Sequence, residues 1–231
     1  MTEKSLQKQN STDVKARSLW VDAFRRFKKN KMAVVSLIFL LLLALVGVIT
    51  LVIDVVTDNS IYDQLVISQN LTQRFETPSS AHPLGLDEFG RDILLRIIWG
   101  TRYSLFMSIV AIVAAGLVGT VIGAIAGYYG GKVDNVIMRL MDIILSLPYM
   151  LLAIAIVAAL GPGLVNVLIS IAIGYVPEFA RIVRASVMTI REREFVEAAK
   201  AVGASDKSII FQQILPNAMA PLIVEVTMAI A

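Results

Sequence analysis

Met32-Ala-Val-Val-Ser-Leu-Ile-Phe-Leu-Leu-Leu-Leu-Ala-Leu-Val-Gly-Val-Ile-Thr-Leu-Val-Ile53 carries no charged residue, and this run decides the class of fold. A bilayer core of ~30 Å takes about 20 helical residues to cross, at about 1.5 Å each, and the run is long enough. Outward from it lie three further uncharged stretches: Tyr103 to Gly131, Ile143 to Pro177 and Ser208 to Val224. All are continuously apolar, whereas a membrane-barrel strand alternates apolar and polar residues, so they read as helices. The stretch from Ile143 exceeds one crossing and is broken at Gly161-Pro162-Gly163, where proline removes a helical N–H and the glycines open the backbone. It reads as two helices joined by a tight turn. The expected spans are 33–53, 103–127, 143–160 and 164–183, with a fifth beginning near 218. Residues Ala218 to Ala231 are short of a full crossing, so the chain is expected to be a fragment truncated at its C-terminus.

Composition agrees. The chain of 231 residues is 57% hydrophobic with a mean hydropathy of +0.74, above the roughly 45–50% apolar content of soluble domains. The net charge of +3 would suggest nucleic acid in a soluble protein. Here the basic residues flank the spans and read as topology determinants. The absence of cysteine excludes a disulfide framework and a thiolate metal site.

Charge sets the expected orientation. Lys4, Lys8, Lys15, Arg17, Arg25, Arg26, Lys28, Lys29 and Lys31 outweigh Glu3, Asp13 and Asp22, which places segment 1–32 in the cytoplasm. The first helix is then an uncleaved anchor. Segment 54–102 has an acidic excess (Asp54, Asp58, Asp63, Glu76, Asp87, Glu88 and Asp92) and is expected outside. The basic segment around Arg181, Arg184, Arg191, Arg193, Lys200 and Lys207 is expected inside, as counting spans also requires.

Two polar segments carry the most information. In Glu194-Phe-Val-Glu-Ala-Ala-Lys-Ala-Val-Gly203 strong helix formers precede a glycine able to take the left-handed conformation that ends a helix. Ser205-Asp206 then supplies an N-cap and a favourable first-turn charge for a second short helix, expected to end at Leu215-Pro216. Ala198 and Ala199 present a small-residue face for another protein. The second segment, His82-Pro83-Leu84-Gly85-Leu86-Asp87-Glu88-Phe89-Gly90-Arg91-Asp92, is a turn followed by an amphipathic stretch (Ile93, Leu94, Ile97, Ile98) suited to the membrane interface. Asp87, Arg91 and Asp92 read better as a charge cluster fixing the loop than as substrate ligands. His82, with no companion His or Cys, is not a metal site.

Glu197-Ala198-Ala199, Gly203 and Leu215-Pro216 resemble, at the same spacing, the EAA loop of ABC-type importer permeases; Gln213 stands where that pattern has Ile, with Ile214 adjacent. His82, Pro83, Gly85, Asp87, Gly90, Arg91 and Asp92 resemble the HPLG-x-D-x-x-GRD signature of the oligopeptide and dipeptide permeases of the OppC/DppC type. With Gly130-Gly131-Lys132-x-Asp134 and Asn217 to Leu222, the resemblance covers nearly the whole chain. It implies an all-α integral membrane protein of the type I importer architecture with about five spans present. It implies a core over 103–231 containing a cytoplasmic loop, 185–217, that docks in a cleft of a separate ATPase. The implied partners are a second permease subunit, two cytoplasmic ATPase subunits and an extracellular substrate-binding protein that delivers di- or oligopeptides or related small solutes. The implied cofactors, ATP and Mg, sit on the ATPase and not on this chain, and the chain itself is not expected to be an enzyme.

Other features weigh against rival readings. Gly127-Tyr-Tyr-Gly-Gly131-Lys132-Val133 glances at a phosphate-binding loop, but Ala126 and Val133 occupy positions where that motif needs glycine and a hydroxyl. Glu178, near the inner end of the fourth span, is expected to pair with Arg181 one turn on. Gly116, Gly119, Gly123 and Gly127 permit close helix approach. A secondary transporter or channel subunit uncoupled from ATP is the alternative; it would be favoured by paired intramembrane charges or broken helices in repeated halves, and neither is clear in the sequence.

Overall fold

The computed structural model describes residues 27–230. The basic residues Lys4 to Arg26, on which the orientation of segment 1–32 chiefly rests, and Ala231 lie outside the described residues. Those described are mostly helical: α1 Lys31–Val56, α2 Ile93–Tyr129, α3 Gly131–Leu145, α4 Tyr149–Leu160, α5 Leu164–Ile190, α6 Glu194–Ala201 and α7 Asp206–Ile230. Four of these helices, α1, α2, α5 and α7, are long and apolar enough to cross a bilayer, and α3 with α4 makes up to a fifth. The all-α membrane fold expected from the charge-free stretches is thus the fold observed.

The boundaries differ from expectation in instructive ways. The third span, expected over 143–160, is a pair of helices bent by 87°. The break falls at Ser146-Leu147-Pro148, because proline cannot donate to the preceding turn and biases the residue before it away from helix. The amphipathic stretch after Asp92 is not a separate interfacial segment; it is the first turns of the 37-residue α2. Nor does Leu215-Pro216 end a helix. Residues Ile209–Ile214 widen into a π-helical turn, with the Leu215 N–H reaching back to the Ile210 carbonyl, and the helix runs on to Ile230. The wide turn accommodates Pro216, which lacks a donor and would crowd the carbonyl one turn before it. The Asn217 side-chain amide donates to the Gln213 carbonyl at 2.6 Å, supplying a bond from outside the helical ladder.

The chain forms two compact units, with the boundary at Arg102 and Tyr103, inside α2. In the first unit α1 meets the beginning of α2 around Asp54. This carboxylate is buried, accepts a hydrogen bond from the Trp99 indole at 3.0 Å and pairs with Arg102, whose guanidinium lies 5.4 Å from the Tyr62 ring. Gly47 faces the Arg102 backbone, where a Cβ would stand in ordinary contact, 3.6 Å from the Arg102 Cα.

The second unit is built on a seam between α2 and α5. A Cβ on Gly119 would lie 2.5 Å from the Phe179 Cβ, one on Gly127 would lie 2.8 Å from the Arg184 carbonyl, and one on Gly123 would overlap the Ala180 carbonyl. Side chains are thus excluded along one stripe of α2, and the two helices meet backbone to backbone. Phe179, Val183 and Val187 of α5 are fully buried there, and the core continues through Val196 of α6 to Ile209, Ile214, Ala218 and Leu222 of α7. Between α5 and α3, Arg184 pairs with Asp134 and Arg181 with Asp142. Arg181 therefore does not pair with Glu178 as expected. Glu178 is exposed, and the partner of Arg181 comes from a helix distant in sequence.

Candidate functional site

The segment from Glu194 to Pro216 is a helix, a glycine turn and a second helix, as its sequence suggests. In α6, Glu194 and Glu197 occupy the first turn and Lys200 the last, the polarity that a helix dipole favours. The end of α6 is a Schellman turn. The Ala204 N–H donates to the Ala199 carbonyl at 3.0 Å, the Gly203 N–H donates to the Lys200 carbonyl at 2.9 Å, and Gly203 takes φ +80°. This pairing satisfies carbonyls that a helix end otherwise leaves open. Ser205 then caps α7, its hydroxyl accepting from the Ser208 N–H at 3.4 Å.

The segment is fastened to the core by one side and open on the other. Val196, Ile209 and Ile214 are buried, and Ala199 packs against the same core. Ala199 therefore faces its own chain, which corrects the reading of both alanines as an outward face. Glu197, Ala198 and Gly203 are exposed, and Val202, at 84% exposure, projects beside them. Of the Leu215-Pro216 pair, Leu215 is buried and Pro216 exposed. A cleft of about 750 Å³ opens next to α6, lined by Ile190, Glu192, Arg193, Glu194, Phe195 and Asn217. Ala198 and Val202 thus leave a small apolar patch exposed on a short helix among the charged side chains of Glu194, Glu197 and Lys200.

In the first unit the His82 to Asp92 segment folds on itself. Asp87 accepts hydrogen bonds from the backbone N–H groups of Phe89 (2.8 Å) and Arg91 (3.0 Å) and from the Arg91 side chain (2.8 Å), and it also pairs with Arg96. Burial pushes the Asp87 carboxyl up, but these hydrogen bonds and the positive charge of Arg91 prevail and hold it well below the usual carboxylate range. Asp92 caps α2, accepting from the Leu95 N–H at 2.9 Å, and meets His82 Nδ1 at 2.8 Å. Burial acts upward on Asp92 too, and the hydrogen bond from His82 with those from the backbone brings it down. Gly85 and Gly90, both at positive φ, admit the carbonyls of Glu76 and Asn70 where a Cβ would stand. The charged groups of the motif are spent on holding this loop.

Residues 119–231 match the family profile of the "Binding-protein-dependent transport system inner membrane component", and residues 18–77 match the "N-terminal TM domain of oligopeptide transport permease C". The dipeptide transport system permease protein DppC of Alkalihalophilus pseudofirmus is 46% identical over 211 residues, which cover 91% of this chain and 67% of the relative. The glutathione transport system permease protein GsiD of Pectobacterium atrosepticum is 37% identical over 218 residues, covering 94% and 70%. The DppC protein of Haemophilus influenzae is 39% identical over 211 residues, covering 89% and 69%. The chain belongs to this family of transport permeases. The match over 119–231 takes in the permease's whole helix–glycine–helix segment, the Gly119 to Gly127 stripe and α5. The match over 18–77 takes in α1 and ends before the His82 to Asp92 clasp.

Several residues of the permease site escape a linear reading. Tyr128 and Tyr129 at the end of α2 donate their hydroxyl hydrogens to Asp206, at 2.7 Å and 3.3 Å. The Arg191 guanidinium donates to the Gly127 carbonyl at 2.8 Å and the Tyr128 carbonyl at 3.4 Å, closing the end of α2. The Lys200 ammonium lies 5.4 Å from the centre of the Tyr128 ring. Each partner comes from a distant part of the chain, and the only local signal is a pair of aromatic hydroxyls just before the Gly130-Gly131 break.

Proposed function

We propose that this permease is the membrane subunit of an ATP-binding-cassette importer and that it passes di- or oligopeptides, or related small solutes, across the cytoplasmic membrane. The observation that carries the coupling part is the Schellman-turned segment, which packs one side on the core through Val196, Ile209 and Ile214 and leaves Glu197, Ala198 and Val202 exposed. Glu197, Ala198, Ala199, Gly203, Leu215 and Pro216 form the docking element for a separate ATPase. ATP and Mg belong to that ATPase, and this chain performs no catalysis of its own. Peptide transport is supported by the named dipeptide and glutathione permeases among the relatives.

The assembly has a second permease subunit, two ATPase subunits and an extracellular substrate-binding protein. Segment 1–32 and loop 185–217 face the cytoplasm, and 54–102, with the clasp of His82, Pro83, Gly85, Asp87, Gly90, Arg91 and Asp92, faces outward. The basic flank of α6 and the acidic excess of 54–102 support this sidedness. Closure of the ATPase pair moves the docked segment, and the packed helices above it shift as rigid bodies between outward and inward access.

The test is co-purification from native membranes after gentle solubilisation, with Glu197→Lys beside the natural chain. An ATPase retained by the natural chain and lost from Glu197→Lys supports the docking role. An intact membrane complex from which the ATPase is missing in both refutes it.

A further inference from the structure

Three pieces of the coupling region converge on the end of α2. Asp206, in the first turn of α7, accepts hydrogen bonds from the hydroxyls of Tyr128 (2.7 Å) and Tyr129 (3.3 Å). Lys200, in the last turn of α6, lies 5.4 Å from the Tyr128 ring centre. Arg191, just after α5, donates to the Gly127 carbonyl at 2.8 Å. The two phenol rings meet edge to face at 5.2 Å, so the two donors stand as one unit. Asp206 is placed for this by its helix: Ser205 caps the turn, and a first-turn carboxylate is favoured by the exposed N–H groups there.

The mechanical consequence follows from connectivity. A docked partner pulls on α6, and α6 is joined by the chain to α5 and α7 but not to α2. Between Gly119 and Gly127, α2 meets α5 through a stripe on which Phe179, Val183 and Val187 seat against the glycines, a close contact made by packing without polar bonds from side chains of α2. The end of α2 is in addition bonded on both sides of α6, to Arg191 before it and to Asp206 after it, and the bonds to Asp206 are the ones that tie α2 to the far side of the docked segment.

We propose that Asp206, with Tyr128 and Tyr129, is a latch that makes the end of α2 move with the coupling segment, so that these three are positioning residues for transport. This rests on the docking reading given above. The bonded atoms are at the surface, so removing the hydroxyls leaves the buried core of Phe179, Val183, Val187 and Val196 in place. Loss of the latch is therefore separable from loss of the fold.

The chain contains no cysteine, so spin labels at Lys207→Cys and Val121→Cys, two exposed positions, report one distance within it. The distance is measured in the assembled transporter without nucleotide and after trapping with ATP and vanadate, and the ATPase content of each sample is recorded. With the latch intact a single narrow distribution is expected in both states. Tyr128→Phe/Tyr129→Phe and Asp206→Ala are each expected to lose that constancy between states while retaining the ATPase, and Asp206→Glu, which keeps the carboxylate, is expected to restore it. A destabilised but still coupled protein would show lower yield with the distance unmoved. Variants that retain the ATPase and keep the narrow distribution in both states overturn the latch alone. A natural complex without an ATPase overturns the docking reading and the latch with it.

Discussion

Ala204 donates its backbone N–H to the carbonyl of Ala199 at 3.0 Å, and between them Gly203 sits at φ +80°. Nothing lies within 4 Å of the position a Cβ would take at Gly203, so a substitution there meets no neighbour and its cost is backbone strain. A β-branched residue forced into this region costs on the order of 1–3 kcal/mol. Gly203→Val should therefore open the Schellman turn and abolish uptake while membrane insertion stays intact, whereas Gly203→Asn, better suited to the left-handed region, should retain most of it. Uptake assays beside a membrane-insertion assay check this; normal uptake by the valine variant would remove the turn from the docking mechanism.

The seam between α2 and α5 gives a contrast between two glycines of one helix. A Cβ at Gly123 would overlap the Ala180 carbonyl, whereas at Gly100 it would meet nothing within 4 Å. Gly123→Ala should destabilise the permease by about 1–3 kcal/mol through overpacking. Gly100→Ala should be neutral or stabilise it by up to ~1 kcal/mol through helix propensity. Thermal unfolding in detergent reads both, and equal melting temperatures would show that the glycine stripe is not a packing seam.

How much of this was legible in the sequence depends on the range of the interaction. The absence of charge from 32 to 53 and the Gly161-Pro162-Gly163 break are local, and both match the helices that form. Gly203 as a helix terminator and Ser205 as a cap are local too, since their partners lie within five residues. The bend at Ser146-Leu147-Pro148 was written just as locally but was masked by an unbroken apolar run, where hydropathy outweighs the proline. Pro216 misled in the other direction: a π turn absorbs it and the helix continues. The pairs Asp54 with Arg102, Asp134 with Arg184 and Tyr128 with Asp206 depend on which helices become neighbours, which a single sequence does not encode in any local pattern.

The Asp87 clasp predicts a pH dependence with a definite sign. Hydrogen bonds from Arg91 and Phe89 hold the Asp87 carboxyl below its ordinary range in the folded state, against the upward pull of burial. A depressed carboxylate stabilises the fold fully above its unfolded value of about 3.9 and loses that contribution as pH falls through the folded one. Hydrogen exchange at the Phe89 and Arg91 amides should therefore show constant protection, after correction for the intrinsic rate, from neutral pH down to about pH 5. Asp87→Asn should weaken protection throughout that range, by about 1–3 kcal/mol for the loss of charge-assisted hydrogen bonds. Unchanged protection in Asp87→Asn would mean that the two glycines and the backbone pairing hold the loop without the carboxylate.

Asp54 and Arg102 make the sharpest energetic case, because both side chains are largely buried at the meeting of two long apolar helices. Taking two charges out of water costs several kcal/mol each, and their attraction offsets that cost only while both are present. Arg102→Met leaves the Asp54 carboxylate with the Trp99 indole N–H but without its cation, and should destabilise the first unit by about 3–5 kcal/mol. Asp54→Leu should cost less, because the guanidinium keeps the Thr50 carbonyl at 3.4 Å and the Tyr62 ring at 5.4 Å. The double variant Asp54→Leu/Arg102→Met removes both charges and should recover most of the loss, giving a strongly non-additive cycle in unfolding measurements. Additive losses would show that the two side chains contribute by packing along α1 and α2 and not by their charge, and the pair would then carry no specificity for how these helices meet.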